Sequence, residues 1–155
     1  MLRISKLADY GTVVMVFLTK QPSKLCNARE IAQYTHLNLP TVSKILKRLL
    51  DANLLQSVRG SKGGYSLKQP ANQTSLLDIL HAVDDSRGLT ECSLQPNECV
   101  LHDVCHVQDN WRAISQAMNA SLARVSLEML AGPMILNMDW TEPFARFIAA
   151  NEELK

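Results

Sequence analysis

The sequence predicts a mainly α-helical fold with one small β-hairpin. Three observations support this prediction. Apolar residues recur at helical spacing through the first half of the chain, two short alternating segments flank the glycine-rich run 60–64, and a long apolar series begins at Val107. The 155 residues are enough for one core-bearing domain and an appendage.

The first three helices are predicted from apolar periodicity and capping residues. The first spans about Leu7–Leu18. The second, Ala28–Tyr34, follows Asn27, a favourable N-cap. The third runs over about Pro40–Ala52 after the cap Asn38, and proline suits a first helical turn. Two short helices joined by a tight turn, the second with basic side chains, are typical of a helix-turn-helix.

A β-hairpin is predicted directly after the third helix. Its strands are Leu55–Val58 and Tyr65–Lys68, and the basic tip between them contains Gly60, Gly63 and Gly64. A hairpin in this position is a wing. The predicted fold class is therefore a winged helix-turn-helix, mainly α with a small β-hairpin wing.

A fourth helix and a long helix complete the predicted elements. Thr74 or Ser75 caps the helix Leu76–Val83, and a cysteine-containing loop follows. A long helix then spans about Val107–Leu130, with apolar residues at nearly heptad spacing. Such a seam indicates a dimerisation helix that packs against a second copy of the chain, and packing onto its own winged helix is the alternative.

These elements divide the chain into four predicted segments. Residues 1–83 form the winged helix, residues 84–106 the cysteine loop and residues 107–131 the dimerisation helix. The tail, residues 132–155, has no assigned role.

Charge is divided between the two halves of the chain. Residues 1–68 carry eleven Lys and Arg against three Asp and Glu, a net charge of +8, whereas residues 69–155 carry five against twelve, a net charge of −7. A basic half in a near-neutral protein suggests binding to a polyanion, and a solvated surface with segregated charges is the alternative.

Double-stranded DNA is the polyanion that a winged helix suggests. The start of the third helix would enter the major groove, later cations would contact phosphates, and the wing would enter a minor groove. The candidates for these three roles are, in turn, Thr41, Ser43 and Lys44; Lys47 and Arg48; and Arg59, Ser61 and Lys62. For each cation, a solvated surface position is the alternative.

Other classes of protein are disfavoured. No apolar run approaches the roughly 20 residues that span a bilayer, and the first residues lack the pattern of a signal peptide. We expect a cytoplasmic protein without membrane contact, in which cysteines remain reduced. No nucleophile–base constellation, phosphate-binding loop or paired carboxylates indicate an enzyme.

Three of the four cysteines lie in the loop. Six residues separate Cys92 from Cys99, and five separate Cys99 from Cys105. Structural zinc sites usually have closer pairs, so wider gaps favour an iron–sulfur cluster. Zinc bound with His102, or redox-active thiols without metal, remain as alternatives. A weaker fourth ligand would make a cluster responsive, and the candidates are His102, His106 and Asp9.

The segments RISKLADYGTVVM, VRGSKGGYSL and LLDILHAVD, with three cysteines ahead of a long helix, resemble the winged-helix iron–sulfur regulators of the IscR and NsrR kind. The closest resemblance is to the regulators of the SUF iron–sulfur assembly operon. It implies a homodimer on two-fold related half-sites, with Arg59 in a minor groove. It also implies one cluster per subunit, 4Fe–4S or 2Fe–2S, bound through Cys92, Cys99 and Cys105.

Two positions depart from the IscR type. Gln108 stands where that type has its histidine ligand, and Ser43 stands where it has a base-contacting glutamate. Asp9 matches the aspartate ligand of NsrR-like members, so it ranks first as fourth ligand, before His106 and His102. The resulting hypothesis is a cluster-sensing transcriptional regulator that represses SUF-type genes. The alternatives are a nitric-oxide-responsive repressor and a winged-helix protein with a structural zinc loop.

Overall fold

The architecture is that of a computed structural model, which describes residues 3–22, 24–60, 62–84, 88–90, 93, 99–101, 104–133 and 145. The chain forms two units. In the described part, the first unit contains every element up to residue 84 together with residues 125–133, and the second contains residues 88–90, 93, 99–101, 104–124 and 145.

Among the described residues, three helices are followed by a hairpin, a 3-10 turn and three further helices. They are α1 (Lys6–Thr19), α2 (Ala28–Thr35), α3 (Leu39–Asp51), β1 (Leu55–Val58), β2 (Gly64–Leu67), a 3-10 turn (Ala71–Gln73), α4 (Leu76–Asp84), α5 (Gln108–Ala123) and α6 (Leu127–Ala131). The four predicted N-terminal helices and the hairpin are confirmed to within one or two residues. None of the helices within the described residues is long and apolar enough to cross a bilayer.

Capping side chains set the helix starts that the sequence predicted. The Asn27 side chain accepts a hydrogen bond from the Glu30 amide at 3.0 Å, and Glu30 Oε2 accepts one from the Asn27 amide at 2.8 Å. This reciprocal pair is a capping box. Asn38 accepts from the Thr41 amide at 2.9 Å at the start of α3. Together these caps define the turn between α2 and α3.

The core of the first unit lies where α1, α3 and α4 meet. Its side chains are apolar and come from positions that share one face of each helix. The largest fully buried ones are Val14, Met15, Leu18, Ile31, Val42, Ile45, Leu46, Leu49, Ile79, Val83 and Leu127. Because α3 buries one face here, its opposite face is left exposed.

The hairpin is anchored to the helices through Cys26. Strands β1 and β2 are antiparallel with Leu55 opposite Leu67, and Cys26 and Tyr65 exchange backbone hydrogen bonds of 3.1 and 2.9 Å. The Cys26 side chain is fully buried, and burial raises the pKa of its thiol. Cys26 thus packs as a small buried apolar residue.

The prediction of one helix from Val107 to Leu130 is wrong. The structure has two helices, α5 ending at Ala123 and α6 beginning at Leu127. Ser126 adopts an extended conformation with ψ of 156°, and its side chain caps α6 through the Met129 amide at 3.1 Å. Backbone pairing replaces the helix at the break, since the Leu127 amide donates to the Thr74 carbonyl at 2.8 Å.

The second unit is built on α5. This helix buries small and polar residues, namely Gln108, Ser115, Ala117 and Ser121. Val107 and Trp111, one turn apart, retain 52% and 39% of their surface exposed. The predicted apolar seam is therefore present from Val107 to Leu122 but does not continue, because Val125 is buried in the first unit.

Candidate nucleic-acid interface and cysteine loop

The outer face of α3 carries the predicted DNA contacts. Ser43, Lys44 and Lys47 are exposed, while Thr41 is half-buried. They lie opposite the buried face of the same helix, which places their polar atoms in solvent. We call this set the α3 outer face. It matches the surface that a recognition helix presents to a major groove.

Arg48 differs from its neighbours on α3. It is half-buried, and its guanidinium donates a hydrogen bond to the main-chain carbonyl of Val83 in the last turn of α4. The side chain predicted to contact phosphate is thus engaged inside the first unit. A role for Arg48 in holding α3 against α4 follows directly from this contact.

The wing tip places two further cations in solvent. Arg59 and Lys62 are exposed, and the amide of Gly63 donates to the Gly60 carbonyl at 3.0 Å, which closes the turn. Gly60 has φ of 122°, a conformation that side-chain-bearing residues rarely adopt. Ser61 lies outside the described residues. Glycine therefore shapes the tip, with Arg59 directly before the turn and Lys62 within it.

These cations are electrostatically uncompensated within the described part of the chain. Lys44, Lys47, Arg59 and Lys62 make no ion pair or side-chain hydrogen bond with another described residue. Lys24 provides a contrast, since its Nζ lies 3.1 Å from Glu30 Oε1. The Asn27 amide and Lys24 lower the pKa of the Glu30 carboxyl. Positive charge on the α3 outer face and wing tip is thus available to an anionic partner.

The predicted ligands of the cysteine loop are only partly within the described residues. Cys99 and Cys105 are free, half-buried thiols, and His106 is exposed. Cys92 and His102 lie outside the described residues. Within the described part, no three His, Cys, Asp or Glu side chains group as a metal site would require.

Asp9, the candidate fourth ligand, belongs to the first unit. It is exposed in the first turn of α1 and lines a groove of about 510 Å³ with Arg3, Lys6 and Tyr10. The structure describes this groove within the first unit alone, so the relation of Asp9 to the cysteines stays a prediction.

Sequence reasoning missed a hydroxyl cluster beside the cysteine loop. Ser115 on α5 is 4% exposed, and its Oγ accepts a hydrogen bond from the Leu89 amide at 3.2 Å. Ser115 Oγ also donates to Ser93 Oγ at 3.0 Å, and Ser93 Oγ lies 2.8 Å from Thr90 Oγ1. Isolated serines and threonines carry no sequence signal for such a cluster, since surface loops are rich in them.

Comparison with known proteins identifies the family. The profile of the Rrf2 family, described as an iron-dependent transcriptional regulator, matches residues 4–133. This match covers most of the chain. The chain belongs to the Rrf2 family.

Curated relatives of this Rrf2 protein include named regulators. It is 31% identical over 91 residues to the protein aau3 of Rhizobium meliloti, covering 59% of each chain. It is 31% identical over 101 residues to the transcriptional regulator IscR of Photorhabdus laumondii, covering 65% of this chain and 61% of that one. The NsrR of Oceanobacillus iheyensis is 26% identical over 92 residues, covering 59% of this chain and 63% of NsrR. The chain thus aligns with about three fifths of the length of these relatives.

Solved structures extend the similarity to nearly whole chains. CymR, the global cysteine regulator of B. subtilis, shares 26% identity with a TM-score of 0.66, over 84% of this chain and 97% of CymR. The IscR of T. potens has a TM-score of 0.65 at 19% identity over 91% of this chain and 96% of IscR, a similarity of fold alone. The predicted resemblance to regulators of the IscR and NsrR kind, the winged-helix fold class and the prediction of no enzyme are confirmed. The SUF branch stays a prediction.

Two described cysteines have the side-chain chemistry that an iron–sulfur cluster, which the resemblance implies, would need. Thiolates are the ligands that such clusters require, and Cys99 and Cys105 are unpaired thiols that retain some solvent access. Cys26 is fully buried among apolar side chains and hydrogen-bonded into the sheet. The cysteine loop is therefore a better donor set than the core cysteine.

Proposed function

We propose that this chain is a DNA-binding transcriptional regulator whose affinity for its operator depends on an iron–sulfur cluster. The observation that carries the DNA-binding part is the placement, on two neighbouring elements of one unit, of exposed cations that pair with no described residue. Lys44 and Lys47 lie on the α3 outer face, and Arg59 and Lys62 lie at the wing tip. Membership of a family of transcriptional regulators supports this proposal.

The DNA complex follows from the exposed groups. The first turns of α3 enter the major groove, where Thr41, Ser43 and Lys44 contact base edges. Lys47 contacts a phosphate and orients the helix without distinguishing sequences. Arg59, with Ser61 and Lys62, enters the adjacent minor groove, where a narrow A·T-rich tract has an enhanced negative potential.

The functional unit in this proposal is a homodimer. Val107 and Trp111 retain 52% and 39% of their surface exposed at the start of α5, and both contribute apolar area to the seam. Two copies that bury this seam against each other become related by a two-fold axis. The operator then contains two related half-sites.

The sensing part of the proposal concerns the cysteine loop. Cys92, Cys99 and Cys105 would hold one cluster per subunit, 4Fe–4S or 2Fe–2S, with Asp9 as the first candidate for the remaining ligand and His106 or His102 as alternatives. The bound cluster would supply sensitivity to oxygen, nitric oxide or cluster demand. The protein's own part is to supply three thiolates and a weaker, displaceable fourth ligand. The target genes are those of SUF-type assembly, which the protein represses.

Two measurements on protein purified without oxygen test the proposal. Native mass spectrometry gives the mass bound per dimer, and fluorescence anisotropy gives the affinity for operator DNA with and without that mass. Two iron–sulfur clusters per dimer and a changed affinity after their removal support sensing. Two zinc ions, with affinity unchanged on removal, would make the loop structural and end the sensing proposal. If nitric oxide destroys the cluster, but the cluster stays bound when other proteins compete for clusters, the protein would be a nitric-oxide-responsive regulator instead.

A further inference from the structure

Leu89 and Ser93, on either side of Cys92 in the sequence, are hydrogen-bonded to a serine hydroxyl in the middle of α5. Leu89 and Thr90 precede Cys92, and Ser93 follows it directly. The Leu89 amide and the Ser93 hydroxyl both bond to Ser115 Oγ, at 3.2 and 3.0 Å. The Ser93 amide also donates to the Thr90 carbonyl at 3.0 Å.

Ser115 is suited to this role because it is buried and doubly engaged. A hydroxyl supplies one donor and two acceptor positions, and here the donor goes to Ser93 while an acceptor takes the Leu89 amide. Because only 4% of the surface of Ser115 is exposed, water has little access to replace these two hydrogen-bond partners. Loss of the Ser115 hydroxyl would leave the Leu89 amide without its hydrogen-bond partner. The free-energy cost is larger than that of losing a hydrogen bond exposed to solvent, where water can replace the partner.

From this geometry we infer that Ser115 is a positioning residue for the Cys92 ligand. Ser93 is the residue next to Cys92 in the sequence, and consecutive Cα atoms are about 3.8 Å apart. Ser115 acts on the ligand through the hydrogen-bonded neighbours Leu89 and Ser93 and is not itself proposed as a ligand. This inference rests on the proposed cluster binding.

Helix α5 offers a matched control. Ser121 lies on the same helix and is 8% exposed, and its hydroxyl donates to the Ala117 carbonyl at 2.9 Å, its single side-chain hydrogen bond to a described residue. Ser115→Ala and Ser121→Ala thus remove the same hydroxyl from the same helix at similar burial. Only Ser115→Ala removes the hydrogen bonds that α5 makes to Leu89 and Ser93.

Hydrogen–deuterium exchange on the metal-free, reduced protein tests the attachment. In Ser115→Ala we expect the amides of Leu89 and Ser93 to exchange about five-fold faster, the ratio that one average hydrogen bond accounts for. Ser121→Ala should leave them unchanged. Ser93→Ala, which changes a half-buried residue, should also accelerate the exchange of the Leu89 amide. This second variant keeps the test valid if Ser115→Ala fails to fold. Unchanged exchange in both Ser115→Ala and Ser93→Ala would overturn the inference.

The role toward the cluster is tested on protein reconstituted without oxygen. Ser115→Ala should lose its cluster to a chelator several-fold faster and have a shifted reduction potential, whereas Ser121→Ala and the hydroxyl-retaining Ser115→Thr should behave as wild type. Faster exchange with unchanged cluster lability and potential would overturn the positioning role. A wild-type protein that binds no cluster would instead refute the proposed function, while the exchange result would still stand.

Discussion

Arg48 on α3 donates a hydrogen bond to the main-chain carbonyl of Val83, 35 residues further along the chain. The contact joins the recognition helix to the last turn of α4, where unpaired carbonyls carry partial negative charge. Lys47, its neighbour in sequence, has no such partner among the described residues and faces solvent. Two adjacent cations therefore have different roles.

Arg48→Ala should lower the free energy of unfolding by about 1–3 kcal/mol, because a hydrogen bond from a charged donor is lost and the Val83 carbonyl loses its partner. Lys47→Ala should leave stability almost unchanged. It should instead weaken DNA binding on all sequences alike and reduce the slope of log K against log salt by about one. Urea denaturation and salt-dependent anisotropy measure both effects. Equal loss of stability in the two variants would contradict the assignment.

Arg59→Ala should weaken operator binding and remove any preference for A·T pairs beside the half-site, because the arginine would no longer enter the narrow groove. Arg59→Lys is the matched control, since it keeps the charge but not the planar guanidinium. It should retain most of the affinity and lose part of the preference. Lys20→Ala, at the exposed C-terminal end of α1, controls for the loss of one positive charge elsewhere. An unaltered binding profile for Arg59→Ala would remove the wing from the interface.

Gly64→Ala should destabilise the first unit by about 1–3 kcal/mol, since an added methyl group overfills a tightly packed site. A Cβ at Gly64 would lie 2.8 Å from backbone atoms of Cys26 and separate the hairpin from the helices. Gly132→Ala is the control, because the nearest atoms there are 3.6 Å away. Thermal unfolding of both variants measures the difference in stability. Wild-type stability in Gly64→Ala would show that this close approach is not needed.

Trp111→Glu should convert the proposed dimer into a monomer at micromolar concentration. The substitution removes apolar area from the seam and places two like charges near the two-fold axis. Gln116→Glu adds the same charge at another exposed position of α5 and should leave the dimer intact. Sedimentation velocity measures the mass, and circular dichroism checks that helix content is retained. A Trp111→Glu protein that stays dimeric would place the interface elsewhere.

Glu30 should make the stability of the first unit pH-dependent. Its pKa is lowered from the usual value of 4.5, chiefly by the Asn27 amide and then by Lys24. A carboxyl with a lowered pKa stabilises the fold above its unfolded-state pKa and loses this effect as pH falls through the folded-state pKa. The stability difference between wild type and Glu30→Gln should therefore be present at pH 7 and disappear below pH 4.5. Glu128→Gln, at another exposed acid, serves as control. A difference that persists unchanged in acid would contradict the capping role.

Local signals account for most of the first unit. Asn27 and Asn38 are good caps, proline stands near the start of α3, and the apolar residues of α3 recur at helical spacing. Each of these effects acts within one or two turns of the chain, so the sequence alone reveals it. The same holds for the wing, whose glycines and alternating strands are contiguous. The family resemblance and the α3 outer face could therefore be predicted.

The break between α5 and α6 could not be predicted in this way. The apolar spacing from Val107 to Met129 is continuous and favours a single helix. What interrupts it is pairing of the Ser126 backbone with Ser75, from a distant part of the sequence, together with burial of Val125. Tertiary contacts of this kind outweigh helix propensity, which is worth less than 1 kcal/mol per residue.

The sequence by itself determined which segments become helix or hairpin, where positive charge gathers and which residue types are offered to a cluster, since these depend on neighbours along the chain. Only the tertiary structure decided that Arg48 joins α3 to α4, that Ser115 fastens the segment around Cys92, and that the apolar seam ends before Val125. Each of these depends on groups far apart in sequence that become neighbours only when the chain folds.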